Sequence, residues 1–211
     1  MASSQYLSPC VIPLLVGSKS PKGAKKRDVM PMKGYTTKSV LDEMRKDSDF
    51  YLGRAPGRHN IGFPTGYNGY LVVDVDCKDK DTGKIIESCF DYVEQLFDEC
   101  PLGEMVHVVQ TRSGGYHIYL RVRSEELLDC SAGGSKIDTE KRVDIIMKGA
   151  YVVYPPSHVR EDGKAGEYKH LDYIPDCLQF DVYEAAAMPD TVTLFAEDCP
   201  EIMKLIKSDG R

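Results

Sequence analysis

The segment GYLVVDVD, residues 69–76, constrains this chain more than any other stretch. Tyr70, Leu71, Val72, Val73 and Val75 favour a strand, where aromatic and β-branched side chains pack well. That apolar run ends in Asp74 and Asp76. Residues i and i+2 of a strand project from the same face, so both carboxylates enter one space. Two carboxylates so placed repel each other unless a cation lies between them. Hard oxygen ligands of this kind suit Mg²⁺ or Mn²⁺. The alternative is a strand running out into a polar turn, since Lys78, Asp79, Lys80 and Asp81 follow at once.

A strand needs partners, and the rest of the chain supplies candidates. CVIPLLV (10–16) reads as a first strand, followed by the Gly/Pro-rich loop GSKSPKGAKKRDVMPMKG. The basic run Lys22–Arg27 in that loop reads as a solvated loop, with a nuclear signal or a template contact as other readings. Residues 37–47 read as a helix, with Val40, Leu41 and Met44 on one side and Thr36 or Thr37 as its cap. NIGFPTG (60–66) is a short strand and turn. A second helix over 85–99 places Ile85, Ile86, Cys89, Phe90, Val93, Leu96 and Phe97 on one broad face.

MVHVVQT (105–111) and YHIYLRV (116–122) form a hairpin closed by Arg112-Ser-Gly-Gly. RVDIIMK (142–148) and AYVVYPP (150–156) read as a further strand pair. The polar turn REDGKAGEYKH follows, and a last helix near 199–207 has Pro200 in its first turn. This order predicts an α+β fold, with helices packed on a largely antiparallel sheet. Residues 1–175 are expected to form the main domain. Residues 176–211 are expected to form a C-terminal helical tail, with the start of a truncated linker as one reading of it.

Composition sets the outer bounds. A chain of 211 residues with 42% hydrophobic content suits one globular domain. No apolar run approaches the roughly 18 residues a membrane span needs, and the start, MASSQYLSPC, lacks a signal-peptide pattern. The expectation is a soluble, intracellular chain with no membrane partner. Seven cysteines without a C-x-x-C pair suggest reduced thiols rather than a zinc ribbon. The net charge of −6 is unevenly spread: residues 1–58 carry eleven Lys/Arg against five Asp/Glu, and the remainder sixteen against twenty-eight. An acidic total counts against nucleic-acid binding, but acids gathered around metal ions would be offset by them.

Three further blocks carry chemistry. Asp144 lies in RVDIIM, a charge within an apolar strand, where an unpaired carboxylate is costly. Arg142 or Lys148 could pair with it; so could a metal shared with Asp74 and Asp76. Three carboxylates on two strands can hold two divalent ions roughly 3.5–4 Å apart, as in phosphoryl transfer. In Ser113-Gly114-Gly115-Tyr116-His117, glycines at a turn let backbone N–H groups approach a phosphate, and His117 could reach the same anion. A plain hairpin turn with a packed histidine is the competing reading. Asn60, Thr65 and Gly66 form a polar turn before the D-x-D strand, and Pro155, Pro156 and Ser157 a rigid exit after Asp144.

NIGFPTG, LVVDVD, TRSGGYHIYL and RVDIIMKGAYVVYPPS, in that order, resemble the bifunctional primase-polymerase (prim-pol) branch of the archaeo-eukaryotic primase superfamily. The resemblance spans roughly residues 58–160, with a weaker echo in IPLLVGSKSPKG, similar to the family's opening strand and Lys-x-Pro turn. It implies that Asp74, Asp76 and Asp144 are the catalytic metal ligands for two ions, Mg²⁺ or Mn²⁺. It implies that Ser113, Gly114, Gly115 and His117 contact the incoming triphosphate, with Lys148, Asn60, Thr65 and Gly66 nearby. The implied fold is an RRM-like sheet joined to a smaller α/β unit, with the active site between them. The implied activity is DNA primase/polymerase: a primer 3′-hydroxyl attacks the α-phosphate of a dNTP or NTP on a DNA template. A helicase, in the same longer chain or separate, is an implied partner.

The sequence departs from the family in three respects. Larger members continue into a helical priming module and a helicase, for which 211 residues leave no room, so a fragment of a longer protein is one expectation. Ile145 follows Asp144 where many members have arginine, so Lys148 or Arg112 would substitute. Segment 123–141 has only Cys130, so no zinc is expected. Two other functions compete. A D-x-D nucleotidyl- or glycosyltransferase leaves Ser113–His117 and Asp144 without roles. A non-catalytic RRM-like nucleic-acid-binding module would use exposed aromatics such as Tyr116 and Tyr119.

Overall fold

The computed structural model describes residues 12–14, 17, 19, 60–66, 69–79, 82–124, 127, 135–138, 142–147, 150–161, 163–178, 184–185 and 189–207. The expected helix 37–47, the basic run Lys22–Arg27 and Lys148 lie outside these residues. Described strands are β1 (Ile12–Leu14), β2 (Asn60–Pro64), β3 (Tyr70–Val75), β4 (Met105–Gln110), β5 (Tyr116–Arg121) and β6 (Ser135–Asp138). They continue with β7 (Val143–Ile146), β8 (Tyr151–Tyr154), β9 (His158–Glu161), β10 (Lys164–Glu167), β11 (Lys169–Leu171) and β12 (Glu184–Ala185). Among the described residues, two α-helices, α1 (Glu87–Phe97) and α2 (Pro200–Lys207), accompany them.

The main sheet runs β11-β4-β5-β3-β7-β6, with β12 paired to β4; β1-β2-β8 form a second sheet and β9-β10 a ribbon. Every pairing between these strands is antiparallel except β12 with β4. The expectation of an α+β fold on a largely antiparallel sheet matches this architecture.

Strand alternation divides the main sheet into two covered faces. Leu71, Val73 and Val75 of β3, Ile118 and Leu120 of β5, and Val143 and Ile145 of β7 enter one core with α1 and α2. Tyr70, Val72, Val109 and Tyr119 enter the other, against Leu14, Phe63, Val152 and Tyr154 of the smaller sheet. Each such side chain, fully buried, contributes about 1.5–3 kcal/mol. The second core is aromatic: Phe63 meets Tyr119 edge-on at 5.3 Å and Tyr70 at 5.5 Å. Leu178, Leu194, Ile202 and Ile206, from residues 176–211, belong to the first core.

The helix expected over 85–99 begins two residues later, because Ile85 forms a bridge with Lys78 and stays exposed. Strands β7 and β8 fall within the expected segments 142–148 and 150–156, but they do not pair with each other. Both edges of β7 are taken, by β3 and β6, and β8 joins β2 in the other sheet. The short link between them crosses layers. Thr65 holds the crossing, its hydroxyl donating to Met147 O at 2.5 Å and its N–H to Ala150 O at 3.1 Å.

Cysteine usage also differs from expectation. Cys77 and Cys89 are joined by a disulfide between the end of β3 and α1. Their separation of 12 residues follows no short motif. Among the described residues, Cys100 and Cys199 are buried thiols and Cys177 an exposed one. No described helix is long and apolar enough to cross a membrane.

Candidate functional site

The inter-sheet face of β3 is apolar at Tyr70 and Val72 and turns acidic at Asp74. Backbone register sets Asp74 opposite His117 of β5 on one side and Asp144 of β7 on the other. The three side chains therefore form one row across three adjacent strands, where direct neighbours have Cβ atoms roughly 4.5–5.5 Å apart. Like charges so placed are unfavourable without a counter-charge. Asp76 follows the strand end, its N–H donating to Arg142 O at 3.0 Å. Arg142 occupies a left-handed backbone position (φ 55°), and its guanidinium donates to Lys78 O at 2.8 Å and faces Asp79 at 3.6 Å. A strained residue thus ties down the loop that carries Asp76.

Asp74, Asp76 and His117 open on a cleft of about 250 Å³, completed by Lys19, Thr111, Ser113, Ile146, Tyr168 and Tyr151–Val153 of the smaller sheet. Burial, then the charge of Asp76, pushes the Asp74 carboxyl up to about 7, against a smaller opposing pull from Lys19. The Asp74 side chain keeps 30% of its exposure and lines this polar cleft, where solvent screens part of its charge.

Burial, then Lys19, brings His117 down to about 3, so its imidazole is neutral at pH 7. Its Nε2 lies 3.5 Å from Asp74 Oδ1, a contact between a carboxyl and an uncharged ring rather than an ion pair. His117 Nδ1 is buried with no hydrogen-bond partner among the described residues. It is a polar atom waiting for a donor or acceptor.

The Thr111–Gly115 turn is closed on itself. Gly114 N–H donates to Thr111 O at 2.9 Å, and Gly115 N–H to Thr111 Oγ1 at 3.1 Å. The glycine amides are therefore engaged within the turn, and Ser113 is its contribution to the cleft wall beside Thr111. Gly115 is required by contact: a Cβ there would sit 2.3 Å from Val75 O, between the two acids. Gly114 adopts φ 84° and leaves space filled by the Lys78 ammonium.

Other residues singled out from sequence lie elsewhere. Asn60 exchanges two hydrogen bonds with the His158 backbone, at 2.8 and 2.9 Å. Thr65 holds the crossing described above, and Gly66 (φ 78°) closes a turn onto Tyr70 O at 2.7 Å. None of these three lines the cleft. Arg112 lines a neighbouring cleft, and its Nη1 donates to Lys164 O at 3.0 Å. Asp144 stands in the row but not among the cleft's lining residues. Among the described residues, no group of three or more His, Cys, Asp or Glu side chains is placed to hold a metal ion.

Sequence reasoning missed Lys19, Thr111, Tyr151 and Tyr168 as cleft residues. For Lys19 a signal existed in the Lys-x-Pro turn that resembled the family's opening. Its carbonyl accepts from Tyr151 Oη at 2.7 Å, which fixes the loop to the smaller sheet.

Residues 6–190 match the family model described as bifunctional DNA primase/polymerase, N-terminal. No curated protein sequence matches the chain. The match covers most of the 211 residues, and the chain belongs to this family. Membership supports a nucleotidyltransferase of the DNA primase/polymerase type, with DNA and nucleotides as substrates.

Proposed function

From that membership we propose that the Asp74–Asp76 cleft is the active site of template-directed nucleotide joining. The observation that carries the reading is Asp74, Asp76 and His117 together on the wall of a cleft between two sheets, with Asp144 next to Asp74 in the strand register. The strand order β4-β5-β3-β7, with α1 between β3 and β4, supports an RRM-like sheet beside a smaller unit. We take residues 1–175 as the catalytic unit and 176–211 as a tail packed on its helical face.

The chemistry of these donors, carboxylate oxygens gathered on neighbouring strands, suits divalent ions. An acid pushed up to about 7 by burial and a neighbouring acid is a site short of positive charge, and oxygen donors suit Mg²⁺ or Mn²⁺. Asp74 and Asp76 would hold them, with Asp144 joining from the opposite strand. Two such ions would supply charge stabilisation to the attacking and leaving oxygens. The chain's own groups do the rest. Neutral His117 donates one hydrogen bond to a nucleotide phosphate without adding charge. Lys19 adds the positive charge, and Tyr151 and Tyr168 wall the cleft. The primer 3′-hydroxyl gives up its proton to water in the cleft as its oxygen bonds to the α-phosphorus, the α–β phosphoanhydride breaks, and pyrophosphate leaves.

The reading as a non-catalytic binding module loses its aromatic platform. Tyr116 and Tyr119 are 8% and 0% exposed, covered by the helical core and the smaller sheet, and cannot stack on bases. The deciding experiment is primer extension on a labelled primed template with Mg²⁺ or Mn²⁺. The double variant Asp74→Ala/Asp76→Ala is expected to lose incorporation while keeping its fold. Near wild-type extension by a folded double variant refutes the assignment.

A further inference from the structure

On the far side of the Thr111–Gly115 turn lies a second cleft, of about 450 Å³. Its charged and polar lining comes from Lys78, Gln110, Arg112, His158, Glu167 and Lys169. Lysine and arginine outnumber acids there by three to one, and the one acid, Glu167, is paired with Lys169 at 2.8 Å. In a chain of net charge −6 such a cleft is a local concentration against the average. Thr111 belongs to the walls of both clefts, so the basic one begins where the acidic one ends.

Arg112 is held in place and Lys78 lies against the turn, while Lys169 stands exposed in its pair with Glu167. Lys78 follows Asp76 by two residues, and its Nζ lies 2.6 Å from where a Cβ on Gly114 would stand. Arg112 is anchored at Lys164 O, and a Cβ on Gly166 would come within 3.0 Å of it, so β10 closes against the arginine backbone. The ligand that suits a cationic channel opening beside an acidic site is an extended polyanion with one end at the acids. The cleft is polar, which disfavours an apolar peptide face.

We propose that this basic cleft binds the phosphodiester backbone of a single-stranded nucleic acid and leads it across the Thr111–Gly115 turn to the acid cleft. The proposal rests on reading the acid cleft as the polymerising site, so its test is a binding measurement that requires no catalysis. A fluorescein-labelled single-stranded oligonucleotide of about 20 thymidines is titrated with the full chain in EDTA, at salt concentrations from about 50 to 200 mM, and followed by anisotropy. The variant Lys78→Glu/Lys169→Glu is compared with Lys204→Glu/Lys207→Glu on α2, which changes net charge equally. The neutralising pair Lys78→Gln/Lys169→Gln is the gentler second test, and thermal melts confirm that each variant folds.

Loss of two phosphate contacts should flatten the salt slope by about 1.4 and weaken binding tenfold or more in the cleft variant, with an intermediate loss in the glutamine pair. The α2 control should change less than about twofold. Equal weakening by both glutamate pairs would reduce the effect to net charge and overturn the proposal. So would unchanged binding, or displacement by polyglutamate as effective as by unlabelled oligonucleotide. A raised apparent KM for nucleotide with unaltered oligonucleotide binding would assign the cleft to the triphosphate, and also overturns it. If the wild-type chain binds the strand as expected but incorporates no nucleotide, the polymerase reading fails and the strand cleft stands.

Discussion

Replacing Asp74 by Asn in the metal-free protein should stabilise it above neutral pH. Folding moves this carboxyl from its ordinary 3.8 up to about 7, because burial and Asp76 disfavour the charged form. The folded state therefore binds the proton more tightly than the unfolded state, and stability falls as pH rises from 4 through 7. A tenfold change in proton affinity corresponds to about 1.36 kcal/mol, so the rise from 3.8 to about 7 gives an upper bound near ~4 kcal/mol. Solvent in the cleft screens the charge, which reduces the expected gain to about 2 kcal/mol. For a chain of this length that is a rise in Tm of roughly 4–8 °C.

The assay is thermal denaturation of wild type and Asp74→Asn in EDTA, from pH 4 to pH 8. The two should melt together at pH 4 and separate progressively, with the variant higher, up to pH 8. Adding Mn²⁺ at pH 8 should raise the wild type and leave the variant nearly unmoved, because an ion bound to the folded state stabilises it by mass action. A variant no more stable than wild type at pH 8 in EDTA would show that the acids are not held against their repulsion, and the cation argument would lose its basis.

Two further outcomes follow from the same geometry. His117→Ala should raise the apparent KM for nucleotide about 10- to 100-fold, the value of one hydrogen bond to a charged phosphate, with oligonucleotide affinity unchanged; loss of strand binding at constant nucleotide dependence would contradict it. Gly115→Ala should lower Tm by roughly 4–8 °C, a cost of at least about 2 kcal/mol, because its Cβ would overlap Val75 O. A fully stable Gly115→Ala protein would mean that the turn does not press on the D-x-D strand as described.

Strands and helices were legible where one period ran long enough. The β-branched run in GYLVVDVD located β3, and the 3.6-residue apolar stripe located α1 to within two residues. Pairing was less legible. Residues 142–148 and 150–156 look like hairpin arms because they are neighbours in sequence, and nothing local reports that β7 already has a partner on each edge. Sheet membership is decided by which edges remain open, which depends on residues some 70 positions away, such as Val72–Val75. The Cys77–Cys89 disulfide was hidden for the same reason, since its two ends approach only once α1 lies against β3.

The acids of the site were legible because a strand's period fixes where its side chains point, and register carries that certainty from β3 to its neighbours. Asp144 and His117 fall beside Asp74 for no reason beyond two antiparallel pairings in phase. Loops offer no such period. Lys19 reaches the cleft through a turn fixed by Tyr151, and Tyr168 arrives from the segment after β10; neither position follows from spacing. The Ser113–Gly115 turn departs from expectation in one respect. Glycine at a turn suggests free amides for a phosphate, but Thr111, four residues before Gly115, supplies acceptors for both glycine amides. What glycine provides there is closeness: the turn can lie on Val75 O only because position 115 has no side chain. The hairpin thereby holds Ser113 and His117 against the two acids, whatever ligand they take up.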